Sequence, residues 1–134
     1  MAEKKDTKKT QAKKKSTLTI SANGKAYITS TFNNTLVTFT NDKGDAIAWS
    51  SSGARGFKGA RKSTPYAATL AVEDVAKKVI TAGVKTVEVF VKGPGSGRDS
   101  ALRAIKSSGL SISLIADITP LPHNGPKAKK KRRI

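Results

Sequence analysis

The chain has 134 residues, with 26 Lys and Arg against nine Asp and Glu, a formal net charge of +17, and no cysteine. That length suits one domain rather than two. The absence of cysteine excludes disulfides, thiolate metal sites and a cysteine nucleophile, and a cation excess this large, self-repelling in the free chain, calls for a polyanionic partner.

Residues 1–16 carry +5 of the charge in a low-complexity run of Lys, Thr, Ala and Gln. They are expected to form a disordered basic extension. No apolar stretch follows them, so they do not read as a secretory signal. No apolar run nears the roughly 18 residues of a membrane span. Nor is there an amphipathic helix with a basic polar face that would lie on a membrane surface. A cytoplasmic location is the default, with an organelle as the alternative compartment.

Residues 17–118 form the folded body, expected to be a single α/β domain. Three strand-like runs come first, at 25–32, 35–40 and 46–51. In the first, Ala26, Ile28, Ser30 and Phe32 share a face; in the second, Val37 and Phe39 do; the third carries Trp49. Asn23-Gly24 precedes the first run. Asn33-Asn34 and Asp42-Lys43-Gly44-Asp45 supply turn chemistry between the runs, so an antiparallel meander is expected.

The period then changes. Thr64-Pro65 is a helix start, with Thr as cap and Pro at the first helical position. Ala68, Ala71, Val72, Val75 and Val79 recur at helical spacing, and Glu73/Lys77 and Asp74/Lys78 are favourably oriented pairs four residues apart. Gly83 stops this helix. A strand over 84–92 with Val87, Val89 and Val91 inward, a helix over 98–108 closed by Gly109, and a strand over 111–118 with Ile112, Leu114, Ala116 and Ile118 inward complete the body. The order is β-β-β-α-β-α-β. Strands joined through helices run parallel, so a mixed, roughly five-stranded sheet with helices packed on it is predicted.

Residues 119–134 carry +6 with no acid among them. Lys127, Lys129, Lys130, Lys131, Arg132 and Arg133 repel one another and bury nothing, so an extended, disordered arm is expected. Pro122-His123-Asn124-Gly125 bends the chain just before it.

Chemistry has few places to reside. Gly93-Pro94-Gly95-Ser96-Gly97-Arg98 joins a strand to a helix, where glycine amides and a helix N-terminus favour phosphate. It lacks the Gly-Lys-Ser/Thr ending of a nucleotide loop and the acidic residue about 20 positions on that would hold a ribose. A tight strand-to-helix turn is the competing account. The segment from Ser52 to Thr64 holds Arg55, Lys58, Arg61 and Lys62 among three glycines before a helix. Phe57 within it either stacks on a base or anchors the loop, and Ser63 and Thr64 either bind or cap. The one histidine, His123, lies in the arm, no nucleophile elbow is present, and the carboxylates are dispersed. An enzyme is therefore not expected, nor a metal or cofactor.

Taken together and in order, several stretches resemble one family, the universal small-subunit ribosomal protein numbered eleven, bacterial type. They are Phe32-Asn33-Asn34-Thr35, Trp49-Ser50-Ser51-Ser52-Gly53, the run from Gly56 to Ala68, Val91-Lys92-Gly93-Pro94-Gly95-Ser96-Gly97-Arg98, and the run from Asp117 to Gly125. The resemblance covers 26–125, most of the chain. It implies a structural constituent of the small ribosomal subunit, without catalysis, on a sheet laid out as in ribonuclease H. It also implies a place on the platform near the messenger RNA exit, bound to small-subunit (16S-type) ribosomal RNA beside small-subunit proteins seven, eighteen and twenty-one. Carried over by residue, RNA contacts fall on Asn33 and Asn34; on Arg55, Lys58, Arg61, Lys62, Ser63 and Thr64; on Lys92, Gly93, Gly95, Gly97 and Arg98; and on His123, Asn124, Gly125, Lys127, Lys129, Lys130, Lys131, Arg132 and Arg133. The family commonly continues Cys-Arg-Pro-Pro after Pro-His-Asn-Gly; here Pro126-Lys127-Ala128-Lys129 stands instead, replacing a bidentate guanidinium with a point charge. Two other classes remain as alternatives: a free-standing nucleic-acid chaperone or nucleoid protein, on the strength of the two basic tails, and a nucleotide-binding enzyme built on the glycine loop.

Overall fold

The computed structural model describes residues 20–134, so the expected extension at 1–16 lies outside the described residues. The elements are β1 (Asn23–Ser30), β2 (Thr35–Asn41), β3 (Ala46–Ser51), α1 (Pro65–Ala82), β4 (Thr86–Lys92), α2 (Gly97–Ser107) and β5 (Ser111–Asp117). Two short 3-10 turns, Gly53–Arg55 and Gly59–Ser63, lie between β3 and α1. The sheet is mixed and five-stranded, in the order β3-β2-β1-β4-β5. β1, β2 and β3 form the antiparallel meander, while β4 pairs in parallel with both β1 and β5. The expected common direction of β3, β4 and β5 is met, although the crossover through α1 places β4 beside β1 rather than beside β3.

Local chemistry fixes the helices. The Thr64 hydroxyl accepts from the Ala67 amide at 3.4 Å, with Pro65 at the first helical position. At the other end Gly83 adopts φ 105°, and its N–H turns back to the carbonyls of Val79 and Ile80. The spacing of Val72, Val75 and Val79 puts all three on one side of α1, and all are fully buried. They meet Ile28 of β1, Val37 and Phe39 of β2, and Val87, Val89 and Val91 of β4, with Ala101, Ala104 and Ile105 of α2 closing the same core. A Cβ on Gly97 would lie 2.8 Å from the Ala68 Cβ, so glycine is what lets the start of α2 approach α1 this closely.

The opposite sheet face is half open. The register lines up Trp49, Thr38, Tyr27, Phe90 and Ala116 in one row across all five strands. Tyr27 and Phe90 stack at 5.3 Å with an interplanar angle of 19°.

Three expectations need correction. Phe32 is not on the inner face of β1; it is 74% exposed. The strand stops at Ser30 because the Thr31 hydroxyl accepts from the Asn33 and Asn34 amides and bends the chain there. Asn23-Gly24 is not a turn before the strand but its first two residues, and a Cβ on Gly24 would lie 2.8 Å from the Thr40 carbonyl oxygen of the neighbouring strand. The alternation expected along β5 also fails. A bulge opposite Val87/Glu88 inserts Ser113, after which Ile115 pairs with Val89 and Leu114 with Glu88. Ile112 packs on the core, whereas Leu114 is 47% and Ile118 46% exposed.

Candidate nucleic-acid interface

β1, β3, β4 and β5 run in one direction and β2 in the other. One end of the sheet therefore collects the β1–β2 turn, the segment after β3, the glycine turn after β4 and the arm after β5. Each helix returns against the strand before it, so the N-termini of α1 and α2 lie at this end too. All four candidate segments, separated by up to a hundred positions in sequence, share one rim. In open α/β sheets ligands bind outside the carboxyl ends of the strands, and two helix N-termini add positive potential there.

The segment between β3 and α1 holds the cations outward. Arg55, Lys58 and Arg61 are exposed and Lys62 half-buried. Arg55, Gly56, Phe57, Lys58 and Arg61 line a concavity of about 370 Å³. Phe57 is half-buried and packs edge-to-face on Tyr66 at 6.1 Å, so it anchors the loop. Arg55 lies 3.5 Å from Asp74, which also pairs with Lys78. The ion pair steadies the arginine without hiding it. Ser63 and Thr64 spend their hydroxyls on the carbonyls of Ala60 and Arg61 at 2.8 Å each. Ser63 thereby serves the turn, and Thr64 the turn and the cap. In the β1–β2 turn the Asn34 side chain accepts from the Thr35 amide at 2.8 Å, while Asn33 stays exposed.

The glycine turn packs against β1, as the tight-turn account of its spacing has it. The Gly95 amide donates to the Ser30 carbonyl at 2.9 Å, and the Gly93 amide to the Thr119 hydroxyl at 3.1 Å. A Cβ on Gly93 would lie 2.2 Å from the Ser30 carbonyl oxygen, one on Gly95 2.3 Å from both the Ser30 hydroxyl and the Thr31 carbonyl oxygen, and one on Gly97 2.4 Å from the Thr35 hydroxyl. The glycines lay this backbone directly on the end of β1. Two of their amides are thereby committed inside the fold. The hydroxyls of Ser30 and Thr35, against which these glycines lie, are buried, as is that of Ser52, and none of the three has a hydrogen-bond partner among the described residues. The Ser96 hydroxyl donates to the Ser63 carbonyl and ties this turn to the basic segment.

Arg98 is likewise committed. Its guanidinium donates to the Gly93 carbonyl at 3.3 Å and to the Asp117 carboxylate at 3.0 Å. Asp117 also accepts from the Thr119 hydroxyl at 2.6 Å and the Thr119 amide at 2.9 Å. The Thr119 hydroxyl and amide, then Arg98, hold the Asp117 carboxyl down at about 2. This network fixes the point where the arm leaves the sheet. Sequence reasoning missed both Asp117 and Thr119, since neither is a cation or a glycine; only their position at the end of a strand hinted at them. Beyond Ile118 the chain has no helix or strand, and His123, Gly125, Lys127, Lys129, Lys130, Lys131, Arg132 and Arg133 are all exposed. Asn124 takes φ 60°, a left-handed value that asparagine tolerates. Lys92, at the end of β4, is exposed on the same rim.

Among the described residues no group of His, Asp and Glu could hold a metal ion, and no helix is long and apolar enough to cross a membrane. The family model described as ribosomal protein S11 matches residues 24–133. A small ribosomal subunit protein uS11 from Christiangramia forsetii is 50% identical over 131 residues, covering 98% of each chain. On both counts the chain belongs to the ribosomal protein S11 family.

Proposed function

We propose that this protein is a structural constituent of the small ribosomal subunit, performing no reaction, whose rim described above lies against folded ribosomal RNA. The convergence of four basic or polar segments and two helix N-termini on one end of a rigid sheet carries this reading. A rim with an excess of cations attracts the phosphate backbone, while the fixed spacing of its segments matches RNA by shape rather than by base sequence.

Within it the residues divide by role. Asn33, Arg55, Lys58, Arg61, Lys62 and Lys92 meet the RNA from the body, and His123 to Arg133 follow it outward. Asn34, Ser63, Thr64, Gly93, Gly95, Gly97 and Arg98 position those groups instead of touching phosphate. The chain reads as one α/β unit of ribonuclease H-like layout with a basic extension at each end. Family membership supports the finer placement: the platform near the messenger RNA exit, 16S-type RNA, small-subunit proteins seven, eighteen and twenty-one as neighbours, and a cytoplasmic ribosome.

Replacing Arg61 and Lys62 by Ala tests the interface. The salt dependence of affinity for small-subunit RNA should flatten by about one unit of slope per lost phosphate contact. An unchanged slope would remove this segment from the interface.

A further inference from the structure

β5 is an edge strand, so one side of its backbone has no partner within the sheet. Proteins normally guard such an edge with lysine, proline or an inward charge. Residues 111–116 have none of these, reading Ser, Ile, Ser, Leu, Ile, Ala; the guards of this strand are a bulge at Ser113 and Asp117 at its last position, which leave Leu114 to Ala116 uncharged. After the bulge at Ser113 the strand is regular from Leu114 to Asp117. The bulge also turns apolar side chains to both faces, leaving Leu114 47% and Ile115 57% exposed. Beside this edge lies a groove of about 700 Å³, lined by Leu110, Ile112 and Ile115 with Lys106 as its only charged residue. Lys106 forms no ion pair among the described residues.

We infer that β5 receives an extended segment of another protein as a sixth strand, with an apolar side chain in the Leu110–Ile112–Ile115 groove and an acidic residue set against Lys106. Strand addition draws affinity from main-chain hydrogen bonds and specificity from side-chain pockets along the edge, and this edge offers both. RNA is disfavoured because residues 111–116 carry no cation and Lys106 stands alone at the groove, whereas the rim groups Arg55, Lys58, Arg61 and Lys62. A second copy is disfavoured because two chains of +17 would have to meet along it. The inference concerns a protein contact outside the proposed RNA rim, but its assay rests on the chain entering small subunits.

The test uses the full chain, free and assembled into small ribosomal subunits. Amide exchange over Leu114 to Asp117 should slow by about tenfold or more on assembly. A photo-crosslinking residue placed at position 115 should attach to a peptide of another protein. Ile115→Lys, at an exposed site, should leave the melting temperature and RNA affinity of the free chain unchanged while incorporation falls several-fold. Attachment to RNA or to a second copy, unchanged exchange, or wild-type incorporation of Ile115→Lys would each overturn the inference alone. A chain that never enters subunits would overturn the RNA-binding reading and this one with it.

Discussion

Replacing Gly95 with Ala separates a glycine that packs from a glycine that presents an amide. Its backbone is not in the left-handed region, so the added methyl carries no conformational penalty of its own. The methyl would sit 2.3 Å from the Ser30 hydroxyl and the Thr31 carbonyl oxygen, and 2.8 Å from the Ser30 carbonyl carbon. Two of these three neighbours are backbone at and just beyond the end of a central strand and cannot rotate away. The turn must lift, at an overpacking cost of about 1–3 kcal/mol. Lifting also loses the 2.9 Å bond from the Gly95 amide to Ser30, about 0.5–1.5 kcal/mol more. The sum, about 1.5–4.5 kcal/mol, corresponds to a fall in melting temperature of about 6–20 °C for a domain of this size. The assay is thermal unfolding followed by far-ultraviolet circular dichroism. Gly53→Ala is the internal control, because its nearest neighbour would be the flexible Lys62 side chain at 3.4 Å. It should change stability by no more than about 1 kcal/mol. If Gly95→Ala melted like the parent and lost RNA affinity instead, the glycines would be ligand-binding and the packing account wrong.

Asp117 gives a pH prediction. Its carboxyl is held at about 2 against an ordinary 3.8, so the stabilisation it provides is complete above 3.8 and is lost as pH falls towards 2. Nothing should change through Asp117 between pH 5 and 8, and a carboxyl titration by NMR with a midpoint at 3.8 or above would remove the network from the folded protein in solution. Thr64→Ala should cost about 1 kcal/mol in chemical denaturation by uncapping α1; no loss would mean that Pro65 alone sets the helix start. Deleting 126–134 should leave unfolding of the body unchanged and lower incorporation into small subunits, and incorporation at the full rate would show the arm to be dispensable.

Element order, the sheet's mixed character and the inward valines of α1 and β4 could be read from the sequence because each follows from local periodicity. The turn at Thr31, the bulge at Ser113 and the close approach at Gly24 could not, because each depends on a neighbouring strand or on one side-chain hydrogen bond. The candidate site divides in the same way. Cations such as Lys58 and Arg61 announce themselves by composition. That Ser30 fills the space beside the glycines after β4, and that Arg98 pairs with Asp117, are tertiary facts. A glycine needed for close packing and a glycine needed for phosphate look identical in one dimension.

The clasp of Arg98, Asp117 and Thr119 has a consequence for how the molecule engages its target. From that fixed root, residues 118–134 can extend to about 60 Å. On the proposed RNA-binding reading, once the body has docked the six cations at its far end no longer search bulk solution; they sample a hemisphere around a known origin. Tethering of this kind presents a binding segment at millimolar effective concentration. Individually weak charge contacts then close in sequence after the first. Loosening the root would blur that origin without removing a single cation, and association would slow even though the composition of the chain had barely changed.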